Sequence, residues 1–193
     1  RSGQVLDPHA QAGVPTIDLR GHDNEEIHLD IDSYVERARL DAATGGHRNQ
    51  ALWLELAEDA QDPTVAAAAF NQLDEWVTAV TDDRSTRSLR AKVAADRPSG
   101  AADTCWLGTL PIANGSQCHA LFAHGTDPRI AAGGPMQDNV LKCRLEPPKR
   151  SMYDVGFSHS QWARLKATFP TGVCNYARPS VGARRSVTWP RFG

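Results

Sequence analysis

The clearest pattern in the sequence is an alternation of short apolar stretches with longer amphipathic ones. Residues 14–20 alternate with the period of two that is typical of a strand, with Ile17 and Leu19 on one face and polar residues on the other. Residues 50–56 are more continuously apolar and predict a second strand in a more central position. The segment Gly21–Asn24 interrupts the first pattern and predicts a turn.

Each of these strands is followed by a segment with helical periodicity. The first helix is expected over residues 31–43, with Asp30 or Asp32 as its N-cap and the Gly45-Gly46 pair as its stop. The second begins at Asp62-Pro63-Thr64 and continues through residue 80. Its apolar stripe consists of Val65, Ala69, Leu73, Trp76, Val77 and Val80.

The order strand, helix, strand, helix predicts parallel strands joined by crossover helices. Two parallel strands alone cannot cover both faces and both edges of a sheet. We therefore expect residues 1–96 to be the last βα units of a larger, doubly wound α/β sheet. The chain begins Arg1-Ser2-Gly3, with neither an initiator Met nor a signal peptide, and we expect it to be part of a longer polypeptide.

The character of the sequence changes after residue 82. A polar stretch leads into a short helix over residues 89–95, and residues 97–193 then contain all the cysteines and most of the glycines and prolines. We interpret residues 97–193 as a loop-rich extension that packs on the core. One helix is predicted within it, from Ser158 as N-cap to Thr168, with Trp162 and Leu165 buried.

The four cysteines predict a disulfide framework. None of them forms a C-x-x-C pair, and no histidine lies at a spacing typical of zinc sites, so two disulfides and an oxidising compartment, secreted or periplasmic, are expected. Three connectivities are possible. Pairing Cys105 with Cys118 and Cys143 with Cys174 closes the shorter loops and is the one we favour.

Charge and hydropathy exclude several classes of partner. The net charge is -2 and the pI about 6.4, so no global field favours nucleic acid or an anionic membrane surface. No segment approaches the ~20 apolar residues of a membrane span. His119 and His124 have no regular element to make them converge with other ligands, so neither a metal nor a cofactor is predicted.

Several segments along nearly the whole chain carry a resemblance to a known family. They are residues 14–20, 27–28, 37–40, 49–53, 128–135, 140–143, 161–165 and 169–174. In these segments the chain resembles the C-terminal part of a poorly characterised family of large secreted bacterial proteins, classed by a domain of unknown function and similar to tannase and oligomeric-ester hydrolases. The resemblance implies an α/β-hydrolase-type sheet and a carboxylic-ester hydrolase whose nucleophile lies upstream.

An enzyme of that type needs a serine, a histidine and an acid. The nucleophile motif G-x-S-x-G does not occur in the sequence. The first strand and the turn after it resemble the late strand and acid-bearing loop of such folds, which makes Asp23 the candidate acid. Asp18 competes for that role, although its neighbour Arg20 also fits a structural ion pair. The family's pattern carries a histidine after an isoleucine, so His28 is the candidate base; the alternative is a helix-capping or surface histidine.

Two functional hypotheses follow. In the first, the chain is part of a secreted serine hydrolase that cleaves ester bonds of a small molecule or an oligomer through an acyl-enzyme. Its partner is then the N-terminal part of the same precursor, present as a second chain. In the second hypothesis, the chain is a non-catalytic binding or assembly module of a secreted protein.

Overall fold

Strands and helices alternate in the first half of the chain as the hydrophobic pattern predicts. A computed structural model describes residues 8–22, 29–55, 62–112, 116–118, 125 and 127–183. The helices and strands of this half are β1 (Thr16–Gly21), α1 (Ile31–Thr44), β2 (Gln50–Glu55), α2 (Pro63–Asp82) and α3 (Leu89–Ala95). Their bounds agree with the sequence-based ones to within two residues. The chain divides into two compact units, with the boundary between Pro128 and Arg129.

The first unit contains a four-stranded sheet in the order β1-β2-β3-β4. Strand β3 (Thr104–Leu107) pairs parallel to β2, as β1 does, and β4 (Leu110–Ile112) returns antiparallel through a turn at Gly108, whose φ is 59°. Mixed strands and crossover helices confirm the α/β class. The third parallel strand falls within residues 97–193, so the sheet takes a strand from the range that the sequence had assigned to an extension.

The core of this unit is built on the two faces of β2. All six residues of β2 are buried, and successive side chains point to opposite faces. Ala51 and Trp53 pack with Val65 and Ala69 of α2. On the other face, Leu52 and Leu54 pack with Cys105 of β3 and Tyr34 of α1. Strand β2 is therefore central, as its continuous apolar character predicted.

The buried stripe of α2 is narrower than predicted. Trp76 is fully buried and its indole N–H donates to the Val93 carbonyl at 2.9 Å. Val77, which we had included in the stripe, is 45% exposed. At about 100° per residue, Val77 lies roughly 80° from the centre of the stripe formed by the other positions, so its side chain falls outside the contact with the sheet.

An ionic contact between Arg37 and the half-exposed Asp103 ties α1 to the sheet. The Nη1 and Nη2 atoms of Arg37 donate to the carboxylate of Asp103, and the Nη2–Oδ1 distance is 2.9 Å. The backbone N–H of Leu52 donates to the same Oδ1 at 3.0 Å. Burial alone would raise the pKa of Asp103. The hydrogen bonds and charge of Arg37, followed by the Leu52 N–H, outweigh it and hold this pKa below its ordinary value.

This contact predicts a pH dependence of stability. The folded-state pKa of Asp103 is depressed, so its ionised form contributes to the free energy of unfolding. This contribution is fully present above the ordinary carboxyl pKa of about 3.9 and is lost as the pH falls through the folded-state pKa. We expect Asp103→Asn to lower the free energy of unfolding by about 1 kcal/mol at pH 7, a value discounted because half of the Asp103 side chain is exposed. Urea unfolding at pH 7 and at pH 3 measures this, and an equal loss at both pH values would contradict the assignment.

The second unit is small and has few buried side chains. It contains a two-stranded antiparallel sheet, β5 (Arg144–Glu146) with β6 (Val173–Asn175), a four-residue helix α4 (Pro128–Ala131) at its boundary, and helix α5 (His159–Thr168). Ser158 caps α5 as predicted: its Oγ accepts from the Gln161 N–H at 3.2 Å, and the Gln161 side chain accepts in return from the Ser158 N–H.

The burial predicted for α5 is wrong. Trp162 and Leu165 are only half-buried, and no residue of α5 is fully buried. Trp162 instead belongs to a local cluster with Tyr153 and Phe157, and the Arg150 guanidinium lies 4.9 Å from the centre of its ring. A unit this small buries a smaller fraction of its surface than a larger domain does.

Each unit contains one disulfide. Cys105 is bonded to Cys118 in the first, and Cys143 to Cys174 in the second. This is the connectivity favoured from the sequence. The second bond links the residue before β5 to the middle of β6, so it closes the small sheet.

Candidate active site

A histidine and a buried aspartate meet at the carboxyl end of β1. His22 is the first residue after the strand, and Asp30 is the residue before α1. The Nδ1 atom of His22 lies 2.8 Å from Oδ2 of Asp30. The Asp30 side chain is fully buried, whereas 19% of the His22 side chain is exposed. The imidazole therefore bridges a buried carboxylate and the surface of the molecule.

The direction of this hydrogen bond follows from the donor inventory. An ionised carboxylate can only accept, so the Nδ1–H of His22 donates to Asp30. In the neutral imidazole the proton-accepting nitrogen is then Nε2. This is the tautomer that a general base oriented by a buried carboxylate requires.

Strand β2 contributes a second buried carboxylate at the same edge. The His22 backbone N–H donates to the carbonyl of Glu55, the last residue of β2, at 2.7 Å. The Glu55 side chain accepts from the backbone N–H of Asp62 at 3.0 Å and so holds the start of α2. In parallel sheets ligands bind beyond the carboxyl ends of the strands, and that is the edge at which His22, Asp30 and Glu55 lie.

Asp30 does not act as the helix cap that the sequence suggested. It occupies the N-cap position of α1, but its side chain makes no capping hydrogen bond. Its φ and ψ of -65° and -23° are helical, whereas a capping residue normally has extended backbone that turns its side chain back to the first N–H groups. Among the described residues, Asp30 Oδ1 and the buried Ser33 hydroxyl have no hydrogen-bond partner.

The charge of Asp30 affects the pKa of Tyr34, which lies one helical turn further along α1. Burial is the main cause that raises the pKa of the Tyr34 hydroxyl, and the negative charge of Asp30 is the next. Tyr34 therefore stays protonated over the whole physiological range. The Tyr34 side chain packs against the apolar face of the sheet and is close enough to the buried Asp30 carboxylate to be affected by its charge.

Of the three candidate catalytic residues predicted from the sequence, Asp18, Asp23 and His28, the structure describes only Asp18. Asp18 lies in the middle of β1, with Oδ1 4.0 Å from Nε of Arg20, while Nη1 of Arg20 donates to the Leu29 carbonyl at 2.8 Å. Asp18 and His22 are four positions apart along extended chain, or about 13 Å. Asp23 and His28 lie outside the described residues, and their roles stay predictions.

A second histidine–aspartate pair provides a comparison. His47 Nδ1 lies 2.7 Å from Asp41 Oδ1, and their side chains are 37% and 45% exposed. His47 precedes β2, which places the pair at the amino end of the sheet. The two pairs have the same chemistry, but only the one with Asp30 combines burial with the carboxyl edge.

Sequence reasoning missed His22 because it considered the turn Gly21–Asn24 only as a source of the acid, Asp23. The available signal was a histidine directly after a predicted strand, with an aspartate directly before the next helix. Both positions are at ends of elements that meet at one edge of the sheet, so their proximity could have been inferred.

Comparison with known families then identifies the group to which the chain is related. A family model described as a tannase-like family of unknown function (DUF6351) matches residues 1–185. The chain belongs to this family. The resemblance carried by the sequence segments is thereby confirmed, and a tannase-like family is consistent with a hydrolase of the esterase type. No curated protein and no solved structure matches the chain.

Two further observations concern the disulfides and the apolar character of the helices. The two disulfides are compatible with an oxidising, extracellular compartment. In the part of the chain that the structure describes, none of the helices has the length and apolarity to span a membrane.

Proposed function

We propose that this member of the tannase-like family is part of a secreted hydrolase that cleaves carboxylic esters through an acyl-enzyme. His22 acts as the general base and Asp30 as the acid that orients it. The observation that carries the proposal is the 2.8 Å hydrogen bond between a partly exposed imidazole and a fully buried carboxylate at the carboxyl edge of parallel strands. The serine nucleophile lies on a segment outside these 193 residues, which contain no G-x-S-x-G.

The proposed reaction has two halves. The serine Oγ attacks the ester carbonyl carbon as its proton passes to Nε2 of His22, and Asp30 stabilises the imidazolium that forms. The tetrahedral intermediate collapses, the bond to the alkoxy oxygen breaks, and the leaving alcohol takes the proton from His22. Water then attacks the acyl-serine, giving its proton to Nε2. The second collapse releases the acid, and the serine oxygen recovers its proton from His22.

The rest of the sheet is proposed to continue from β1. In the described part of the chain, β1 is the end strand of the order β1-β2-β3-β4, and it runs parallel to its neighbour. Helices α1 and α2 pack on opposite faces of β2, which is the arrangement of a sheet wound on both sides. A preceding part of the same precursor would add parallel strands at β1 and bring its nucleophile to the edge where His22 lies.

Fluorophosphonate labelling of the complete protein tests this function. We expect one labelled serine, located by peptide mapping outside residues 1–193, and much slower labelling in the His22→Ala variant because the base that activates the serine is gone. The His47→Ala variant, which disrupts the exposed pair, should label at the normal rate.

The outcomes separate the two functional hypotheses. If no serine is labelled while the chain still assembles with the rest of its precursor, the serine hydrolase is wrong and a non-catalytic assembly module is favoured. If the label falls on a serine within this chain, the location proposed for the nucleophile is wrong.

A further inference from the structure

A cavity of about 360 Å³ lies at the amino ends of β1 and β2, at the edge of the sheet opposite to His22. Small residues form much of its wall, among them Gly45, Gly46, Ala91 and Ala94. A Cβ added at Gly45 or Gly46 would have no heavy atom within 4 Å, so the chain there faces open space. The volume is within the range of about 300 to 1,000 Å³ that is usual for small-molecule sites.

The charged residues that line this cavity are all basic. They are Arg48, from the loop before β2, and Arg90, in α3. Arg90 donates from Nη2 to the Thr44 carbonyl. The guanidinium of Arg48 makes no hydrogen bond or ion pair with the described residues. Among the residues that the structure describes, no aspartate or glutamate lines the cavity to neutralise the two cations.

Two other polar side chains of the wall, Asn49 and Ser88, make hydrogen bonds within the protein. The Asn49 amide donates to the carbonyls of Gln11 and Val14 at 3.0 and 3.2 Å, and the Ser88 hydroxyl accepts from the Ala91 N–H at 3.4 Å. The Arg48 carbonyl accepts from Arg97 Nη1 at 3.5 Å, which holds the backbone that carries the Arg48 side chain. These contacts hold the wall in place, and the donors it offers to a ligand are the guanidinium N–H groups and the O–H of Ser88.

We propose that this cavity binds the oxyanion group of a small molecule, a carboxylate or a phosphate, through Arg48 and Arg90. The planar fork of a guanidinium group can donate two N–H bonds to two oxygens of a carboxylate or a phosphate, and these hydrogen bonds are charge-assisted. The six residues of β1 separate this site from His22 by about 20 Å, so it is distinct from the proposed catalytic edge. The proposal does not depend on the protein being a hydrolase.

Titration of the protein with sodium phosphate and with sodium benzoate, at constant ionic strength, tests the proposal by calorimetry. We expect saturable binding of at least one of the two anions. Arg48→Ala and Arg90→Ala should each weaken it about tenfold, which is the contribution of one charge-assisted hydrogen bond. Saturable binding of phosphate alone would indicate that the natural ligand carries a phosphate group, and saturable binding of benzoate would indicate a carboxylate. Both outcomes support the site.

Two further variants separate a built site from a general effect of charge. Arg84 is exposed and does not line the cavity, so Arg84→Ala should leave the affinity unchanged. Ala94→Phe should abolish binding by filling the cavity while every arginine remains, with circular dichroism checking that α3 is intact. If neither anion saturates, or if Arg84→Ala weakens binding as much as Arg48→Ala does, the proposal is overturned.

Discussion

The His22→Ala variant of the complete protein is expected to lose at least about a thousandfold in kcat/KM on a nitrophenyl ester, with its fold retained. The reason is that Nε2 of His22 is the atom proposed to receive the serine proton, and Asp30 holds the ring in the required tautomer through the Nδ1 hydrogen bond. Only 19% of the His22 side chain is exposed, and its removal leaves the buried Asp30 carboxylate without this hydrogen bond, so some loss of stability is expected as well. Hydrolysis assays with purified variants, together with thermal unfolding, measure both effects.

Asp30→Asn tests the orienting role separately. An asparagine has nearly the shape of the aspartate, but its carboxamide can donate to Nδ1 and so favours the wrong tautomer of His22. We expect a loss of about 10³ to 10⁴ in kcat, as is found when the acid of a serine triad is replaced in this way. The loss should persist at high substrate concentration because it affects the chemical step and not binding.

The exposed pair at the other edge of the sheet provides the matched control. His47→Ala removes a histidine with the same kind of aspartate contact and should change kcat/KM by less than about twofold. His28→Ala distinguishes the base proposed from geometry from the one expected from the family pattern. If His28→Ala costs orders of magnitude while His22→Ala does not, the base is His28 and the pair with Asp30 is structural.

Local pattern was sufficient to predict β1, β2 and the helices α1, α2 and α3 of the first unit. Period-two alternation in β1, the apolar run of β2 and the Asp62-Pro63 start of α2 each reflect a physical requirement of one element and its nearest layer. The two faces of β2 could be predicted for the same reason: Ala51 and Trp53 must meet one helix and Leu52 and Leu54 another. The prediction was wrong for Val77, at the edge of the apolar stripe of α2, because helical periodicity does not define how wide the buried part of a stripe is.

The site depends on contacts that no local pattern encodes. His22 and Asp30 are eight positions apart, and their contact exists because β1 ends where α1 begins at the same edge of the sheet. Read locally, Asp30 fits a helix cap, and only its helical φ and ψ show that its side chain points elsewhere. Strand β3 was missed because Thr-Cys-Trp-Leu is too short for periodicity to distinguish it from a loop.

Loss of the Cys143–Cys174 disulfide is expected to unfold the second unit while the first stays folded. The bond closes a loop of 31 residues, and the entropy of that closure corresponds to about 3.7 kcal/mol at 25 °C. The unit has little else to replace it: among its described residues, Val140 is the buried apolar side chain, and each strand of its sheet has three residues. A double Cys143→Ser, Cys174→Ser variant removes the constraint without a reducing agent.

Hydrogen exchange read by mass spectrometry resolves the two units in one experiment. In the double variant, peptides covering β5 and β6 should exchange within seconds, whereas peptides covering β2, buried over its whole length, should keep their protection. The matched control is a Cys105→Ser, Cys118→Ser variant, whose bond closes a shorter loop of 13 residues beside the apolar cluster of Leu52 and Leu54. It should leave β5 and β6 protected. Continued protection of β5 in the Cys143→Ser, Cys174→Ser protein would mean that the second unit is stabilised by packing and not by its disulfide.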